Sequence, residues 1–363
     1  MFKIELLKKN AEPEWDNFVN DCVVKEYGFS LKFRDVIKEV FRYETIYYFI
    51  RNGRGIIGVL PLFLVRSKIF SNRLVSIPFT DTGGFYFKER IQDDLKVAIY
   101  KSVIERLSID LRLYSDRALP IEIRNPHPAS NEFLIKNCGF VKISPYVRFK
   151  IRLDTTWQQI ENSFSRNIKR CLEKGKGKLK IDICSDKNQL IDIYKIYLKD
   201  TKRLGSPPLP LRFFEEMWDK FQAIGNFIIF TGSYKNKVVA AETLISFKNT
   251  IYADLIMSDA KYNYIFPKIQ LYFASLNYAY NSNKYMSYDF SRTRRLSGVF
   301  EHKRKWGGEI EEIEYFYQNY SQVKDCFLDH SQSRFSYISK IIKFTPLSIL
   351  RIAGRSIRKQ LGK

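Results

Sequence analysis

The stretch Phe227–Met257, FIIFTGSYKNKVVAAETLISFKNTIYADLIM, decides the fold. Three apolar runs, Phe227–Tyr234, Val238–Phe247 and Ile251–Met257, are separated by the polar pairs Lys235-Asn236 and Lys248-Asn249. β-Branched and aromatic runs joined by two-residue polar turns read as an antiparallel meander. Before it, Lys178–Cys184 alternates like a strand, and Asn188–Arg203 and Leu211–Gln222 carry helical spacing around the loop Gly205–Pro210. After it, Pro267–Asn281 reads as a helix and Tyr285–Phe290 and Ile313–Tyr317 as strands. The order β-α-α-β-β-β-α-β-loop-β predicts an α/β (α+β) unit, a mixed and mostly antiparallel sheet flanked by helices. A helix over Thr156–Cys171, capped by Asp154 or Thr155, leads into it.

Residues before this unit read as a looser version of the same layout. A polar helix at Glu12–Cys22 precedes strands at Thr45–Ile50 and Gly58–Val65, which flank the turn Arg51-Asn52-Gly53. Leu74–Phe79 is a strand closed by Gly83-Gly84, Leu95–Leu113 a helix, and Ile121–Arg124 a short strand. Asn131–Asn137 is a short helix, ended by Cys138-Gly139, and Phe140–Leu153 returns as a strand. With 363 residues, two domains of ~150 residues fit. The expected division is 1–150, 151–320 and a tail, 321–363.

The chain carries 61 Lys+Arg against 39 Asp+Glu, a net of +22. Residues 1–150 hold +7, 151–330 hold +7, and 331–363 hold +8 with no acid at all. Two denser clusters run from Arg166 to Lys180 and from Arg292 to Lys305. Such clusters point to anionic partners: phosphates, tRNA or an acidic membrane face. A solvated surface is the alternative for each. Hydrophobic residues at 45% exclude a disordered chain. No apolar run reaches the ~18 residues of a membrane span. MFKIELLKKN lacks the pattern of a secretory leader. Five scattered cysteines (Cys22, Cys138, Cys171, Cys184, Cys326) and three histidines (His127, His302, His330) form no disulfide framework or zinc motif. Reduced thiols in a cytoplasmic protein, with no metal, are expected.

Several short motifs occur in order. They include Ser165-Arg166-Asn167-Ile168-Lys169-Arg170 and Thr201-Lys202-Arg203-Leu204-Gly205-Ser206-Pro207-Pro208-Leu209-Pro210. Asp289-Phe290-Ser291-Arg292 with Ser297-Gly298, and Phe300-Glu301-His302-Lys303 with Trp306-Gly307, follow. In the first half stand Gly58-Val59-Leu60-Pro61-Leu62 and Ser76-Ile77-Pro78-Phe79 with Gly83-Gly84. Together these resemble the FemAB-like transferases of the GNAT superfamily, in particular those associated with exosortase and exopolysaccharide systems. The resemblance covers about residues 10–320. It implies two tandem GNAT-like domains. Ser291 stands where the family has Gly, and His302 where it has an aromatic residue. The long helical arm of Fem peptidyl transferases has no counterpart here.

The resemblance implies acyl transfer to an amine. That reaction needs a neutral amine, an acceptor for its proton and stabilisation of an oxyanion. Lys303 aligns with the lysine that the resemblance marks as catalytic. Asp289, at a strand end beside Arg292, is the candidate to accept a proton or orient the amine; an ion pair that shapes the loop is the equal alternative. Arg166, Lys169 and Arg170 share a helix face suited to a pyrophosphate or a tRNA backbone. Arg203 is a candidate phosphate contact, on a loop shaped by Gly205, Pro207 and Pro208 and read as a cleft wall. Trp306 and Gly307 read as loop-fixing residues. Glu242 and Asp254 fall on predicted strands, where an unpaired acid is costly to bury, so exposure is expected unless they act.

CoA-dependent GNAT enzymes carry a glycine-rich turn before the helix that follows their fourth strand, and its N–H groups cradle the pyrophosphate. Here that segment, Met257–Pro267, contains no glycine. The expected donor is aminoacyl-tRNA or acyl-CoA, with no tightly bound cofactor. The expected acceptor is a lipid- or nucleotide-linked envelope precursor, of peptidoglycan or exopolysaccharide, and no DNA is involved. A non-catalytic RNA- or phosphate-binding module on a GNAT scaffold, or a CoA-dependent N-acetyltransferase, is the alternative. In the tail, Leu347, Leu350, Ala353, Gly354, Ile357 and Leu361 recur at helical spacing, with Arg351, Arg355, Arg358 and Lys359 mostly off that face. This predicts a basic amphipathic helix, with 347–363 either on an anionic membrane surface, on the inner face of the cytoplasmic membrane, or docked on the protein.

Overall fold

A computed structural model describes residues 2–21, 26–53, 55–68, 71–88, 91–111, 119–124, 131–318 and 333–362. Cys22, Cys326, His127 and His330 lie outside the described residues. The chain forms two compact units. One comprises 1–145, 313–328 and 358–363, the other 146–312 and 329–357. The tail set apart from sequence at 321–363 is thus divided between them.

The first unit contains β1 (Phe2–Leu6), α1 (Glu12–Asp21), α2 (Leu31–Phe41), β2 (Glu44–Asn52), β3 (Gly55–Val65), β4 (Arg73–Val75), β5 (Tyr86–Phe87), α3 (Asp93–Leu111), β6 (Ile121–Arg124) and α4 (Asn131–Cys138). The strand β7 (Val141–Arg152) begins in this unit and continues into the second. The sheet order is β1-β2-β3-β4-β6, antiparallel except for the parallel pair β4 and β6. No element was expected over 31–41. Charged residues interrupt that segment, yet Leu31, Phe33, Val36, Ile37, Val40 and Phe41 are buried at helical spacing. The Ser30 side chain caps the helix by accepting from the Phe33 N–H. The strand expected at 74–79 stops at Val75, because the chain turns and Phe79 adopts φ +65°.

The first unit buries a charged cluster beside β4 and β6. Arg73, Glu122 and Arg124 are all at most 2% exposed. Arg124 Nε donates to Glu122 at 2.7 Å, and Arg73 lies 3.5 Å from the same carboxylate. Arg124 also donates to the carbonyls of Ile77 (3.1 Å), Thr80 (3.3 Å) and Gly362 (2.8 Å). Arg73 donates to the Leu361 carbonyl and Tyr43 Oη to that of Lys359. Three buried charges are tolerable because each has hydrogen-bonded partners.

The second unit contains α5 (Trp157–Ser163), α6 (Arg166–Gly175), β8 (Lys180–Ile183), α7 (Leu190–Leu204), α8 (Leu211–Met217), β9 (Phe227–Tyr234), β10 (Lys237–Phe247) and β11 (Thr250–Ser258). There follow α9 (Pro267–Asn281), β12 (Ser287–Asp289), β13 (Thr293–Arg294), α10 (Gly298–Arg304), β14 (Glu309–Gln318), α11 (Ser333–Phe344) and α12 (Leu347–Leu361). The last residues of β14 pair with β6 and belong to the first unit, as do the last residues of α12. The meander predicted from Phe227–Met257 is β9-β10-β11, and the sheet order is β8-β9-β10-β11-β12-β7. The expected helix over 156–171 is two helices, broken at Phe164-Ser165. Thr156, rather than Asp154 or Thr155, caps the first through a capping box with Gln159.

Strand alternation sorts side chains to two faces. Val147, Phe149 and Ile151 join Leu244, Leu271, Leu276 and Tyr288 in one core, against α9. Arg148, Lys150 and Asp289 therefore lie on the opposite face.

Candidate active site

The site forms where two parallel strands part. β11 and β12 pair only over Thr250–Tyr252 and Ser287–Asp289. β12 ends there, whereas β11 runs on to Ser258, paired only with β10. Beyond Tyr252, β11 continues its ladder with β10 but not with β12, so the two parallel strands part and open a fork. A bulge adds to the divergence. The β10 partners step from Thr243 opposite Leu255 to Leu244 opposite Ala253, which places the bulge at half-buried Asp254. A bulge increases local twist and re-aims side chains.

Asp289 sits at the apex of the fork and is fully buried. Its Oδ1 accepts from the Ser291 N–H at 2.8 Å, and its Oδ2 lies 3.6 Å from the Arg148 guanidinium. Arg148 and Lys150 donate to Glu311 at 2.9 and 2.8 Å. Desolvation pulls Glu311 upward, but Arg148 and Lys150 outweigh it and hold the carboxyl below its ordinary pKa.

Lys303 is also buried. Ser297 caps α10 and so sets the direction of this lysine. The ammonium donates to the carbonyls of Phe290, Ser291 (3.0 Å) and Arg292 (3.3 Å). Asp289 and Lys303, picked out separately from sequence, thus grip one segment, the first by its amide and the second by its carbonyls. Ser291 adopts φ +56°. That left-handed conformation favours glycine, which accounts for the residue type the resembling family places there. The Arg292 guanidinium stacks 5.4 Å from the Tyr146 ring centre. Trp306 is fully buried against Phe164, Tyr272 and Phe290. Gly307 has φ +78°, and a Cβ there would collide with Ser163.

On the other face lies Glu242, and the expectation of exposure fails there. It is fully buried on a central strand. Tyr288 Oη donates to its Oε1 at 3.0 Å and is itself 2.8 Å from Ser275 Oγ. Oε2 has no hydrogen-bond partner among the described residues. Burial pushes this carboxyl up to about 8, so it is largely protonated at neutral pH. Nearby His302 is pushed down to about 4, by burial first and then by Lys305, Lys268 and Lys303, and its imidazole is neutral.

The remaining basic candidates share no hydrogen bond or ion pair with the fork. Arg166, Lys169 and Arg170 are exposed on α6, and Arg170 donates to Asn167 at 3.0 Å. Lys169 lines a cavity of about 540 Å³ whose polar rim includes Glu161, Glu173, Lys176 and Gln270. Arg203 donates to Asp200 at 2.7 Å, and Lys268 donates to the other oxygen of that carboxylate at 2.6 Å. Asp200 is buried and was missed from sequence; its one signal is an acid three residues before Arg203 on the buried stripe of a helix. The loop read as a cleft wall carries helices instead. Gly205, at φ +70°, ends α7 and lies against Ser339 of α11, and Pro208 lies against Gly354 of α12. Leu350 and Gly354, two residues of the expected amphipathic face, are packed onto the protein.

Residues 161–304 match the acetyltransferase (GNAT) domain family. No curated protein matches the chain. Among solved structures, FemX superposes with a TM-score of 0.64 at 13% identity, covering 86% of this chain and 96% of that one. A tandem GNAT protein from the clavulanic acid biosynthesis pathway gives 0.57 at 6% identity, covering 88% and 98%. The C-terminal domain of a putative lysylphosphatidylglycerol synthetase from Agrobacterium fabrum gives 0.54 at 11% identity, covering 88% and 96%. At these identities the likeness is one of fold. The chain has the tandem GNAT fold that its element order predicts, with the GNAT domain match lying in 161–304.

Proposed function

We propose that this chain is a FemX-like N-acyltransferase that moves an aminoacyl group onto an amine of a cell-envelope precursor. The fork between β11 and β12 carries this reading. An acyl carbonyl would lie between the two parting strands, and Asp289 with Arg148 stands at the apex. In the reaction the amine nitrogen attacks the acyl carbon, a C–N bond forms, and the ester bond to the donor breaks. The amine proton passes to a carboxylate, for which Asp289 is the choice, and from there to the departing ribose oxygen of the donor. Lys303 acts through the segment 290–292, whose carbonyls it holds.

Aminoacyl-tRNA is favoured over acyl-CoA by the turn before α9. In place of glycines it has Tyr262, Tyr264 and Phe266, and Asp259 adds a negative charge. Its N–H groups are already occupied: Lys261 donates to the Asp259 side chain, Tyr262 to the Asp259 carbonyl and Phe266 to that of Asn263. Such a turn offers little to a pyrophosphate. The envelope acceptor is supported by FemX and by the lysylphosphatidylglycerol synthetase, whose name is that of an aminoacylated lipid.

The test is transfer by the purified chain from charged tRNA and, separately, from acetyl-CoA, onto nucleotide- and lipid-linked muropeptides. Transfer from charged tRNA that disappears in Lys303→Met is expected. Full activity in Lys303→Met would sink the role given to the loop. Micromolar, saturable binding of acetyl-CoA with acetyl transfer would replace the donor.

A further inference from the structure

Helices α11 and α12 are apolar on two sides. Their inner sides hold Ile342 and Leu350, both buried. Their outer sides hold Tyr337, Ile341 and Phe344 on α11, at i, i+4 and i+7, and Ile349 and Ile352 on α12. Phe344 is 86% exposed and Ile352 76%. Phe344 and Ile349 flank the turn Thr345-Pro346. Nothing in the described unit covers these five side chains, and clusters of large exposed apolar groups mark an interaction surface. Lys340 is exposed beside them, Lys343 and Arg351 are exposed on the flanks of the two helices, and 331–363 contain no acid.

We propose that the outer side of α11–α12 rests on an anionic lipid surface, with Phe344, Ile349 and Ile352 at the acyl boundary and Lys340, Lys343 and Arg351 on the headgroups. This is a different face from the one the tail sequence suggests, which is packed on the protein. Charge decides the occupant. A second copy would bring an equally cationic face against this one, which like-charge repulsion opposes. Anionic headgroups satisfy the lysines and arginine while the acyl boundary takes up the apolar groups. No described helix is long and apolar enough to cross a bilayer, so the contact is one of lying on the surface.

The test is co-sedimentation of the full chain with phosphatidylcholine vesicles, with and without phosphatidylglycerol. It uses neither acyl donor nor acceptor, so its outcome is independent of the function proposed above. Binding is expected to the phosphatidylglycerol vesicles, and Phe344→Ser with Ile352→Ser should weaken it about tenfold. Both positions are exposed, and an unchanged melting temperature verifies folding. Lys340→Gln with Lys343→Gln should weaken binding and make what remains less salt-sensitive, because fewer charge contacts are left to screen. Equal sedimentation of parent and Phe344→Ser/Ile352→Ser, or no sedimentation, would overturn the proposal. A dimer that Phe344→Ser dissociates, without vesicle binding, would give the face to a second copy instead.

Discussion

The two units contain the same crossover, β4-α3-β6 in one and β11-α9-β12 in the other, and treat the space beside it in opposite ways. In the first unit β4 has only three residues. The edge of β6 is met by the N–H groups of Ser76 and Gly83, which donate to Glu122 and Arg124 carbonyls at 2.9 and 2.6 Å. Arg73, Glu122 and Arg124 fill what remains, and their donors reach the carbonyls of 361 and 362. In the second unit β11 outruns β12, bulges at Asp254, and the two strands part. The lesson is that this fold makes a site or a plug according to how far one strand continues past its parallel partner.

The strongest way to break this contrast is Asp289→Asn. It removes the carboxylate at the open fork with little change of shape. Transfer measured in single turnover should fall about 10²–10⁴-fold, the usual worth of a general acid or base. Unchanged transfer would make the second fork as inert as the first.

The converse change is Glu122→Ala. It strands two buried guanidinium groups in the closed unit and should cost about 3–5 kcal/mol in denaturant unfolding. A loss under ~1 kcal/mol would mean that the cluster does not hold the first unit closed.

A pH titration sharpens the comparison further. The Glu242 carboxyl is raised from 4.5 to about 8 in the folded chain, so the folded state binds its proton more tightly than the unfolded state. Its contribution is therefore fully present below pH ~4.5 and is lost as pH rises towards 8, by on the order of 1 kcal/mol per pH unit. Glu242→Gln should flatten that slope in a melting-temperature series. An identical slope in the variant would show that Glu242 titrates normally.

The smallest effect is expected for Ser291→Gly. It relieves a left-handed serine but adds freedom to the unfolded chain, so stability should change by at most about 1 kcal/mol, with transfer retained. Ser291→Val should be the worse variant in both assays.

Sequence made the regular parts of this molecule legible. The meander over Phe227–Met257 could be read because alternating β-branched runs and Lys-Asn turns leave few other conformations. Lys303, Asp289 and Arg292 could be chosen because short motifs carry their neighbours. What stayed hidden depends on long-range placement. Glu242 looks like any strand acid until Ser275 and Tyr288, from two other elements, close over it. Asp200 looks like a surface acid on a helix, yet it joins Arg203 to a lysine 68 residues away. The bulge at Asp254 leaves no mark of its own, because register is set between strands rather than along one. In the tail, the packed and exposed apolar stripes have the same residue types, and only docking tells them apart.

The carbonyls that Arg73 and Arg124 capture belong to residues 361 and 362, about 215 residues beyond the point where the first segment of the first unit ends at Pro145. A ribosome adding 5–20 residues each second reaches them roughly 10–40 seconds later. For that interval the nascent first unit holds its guanidinium groups without those carbonyl partners. N-terminal-first folding therefore gives an unfinished module here, which is completed only after the second unit has emerged. Assembly of the first unit waits on residues 361 and 362.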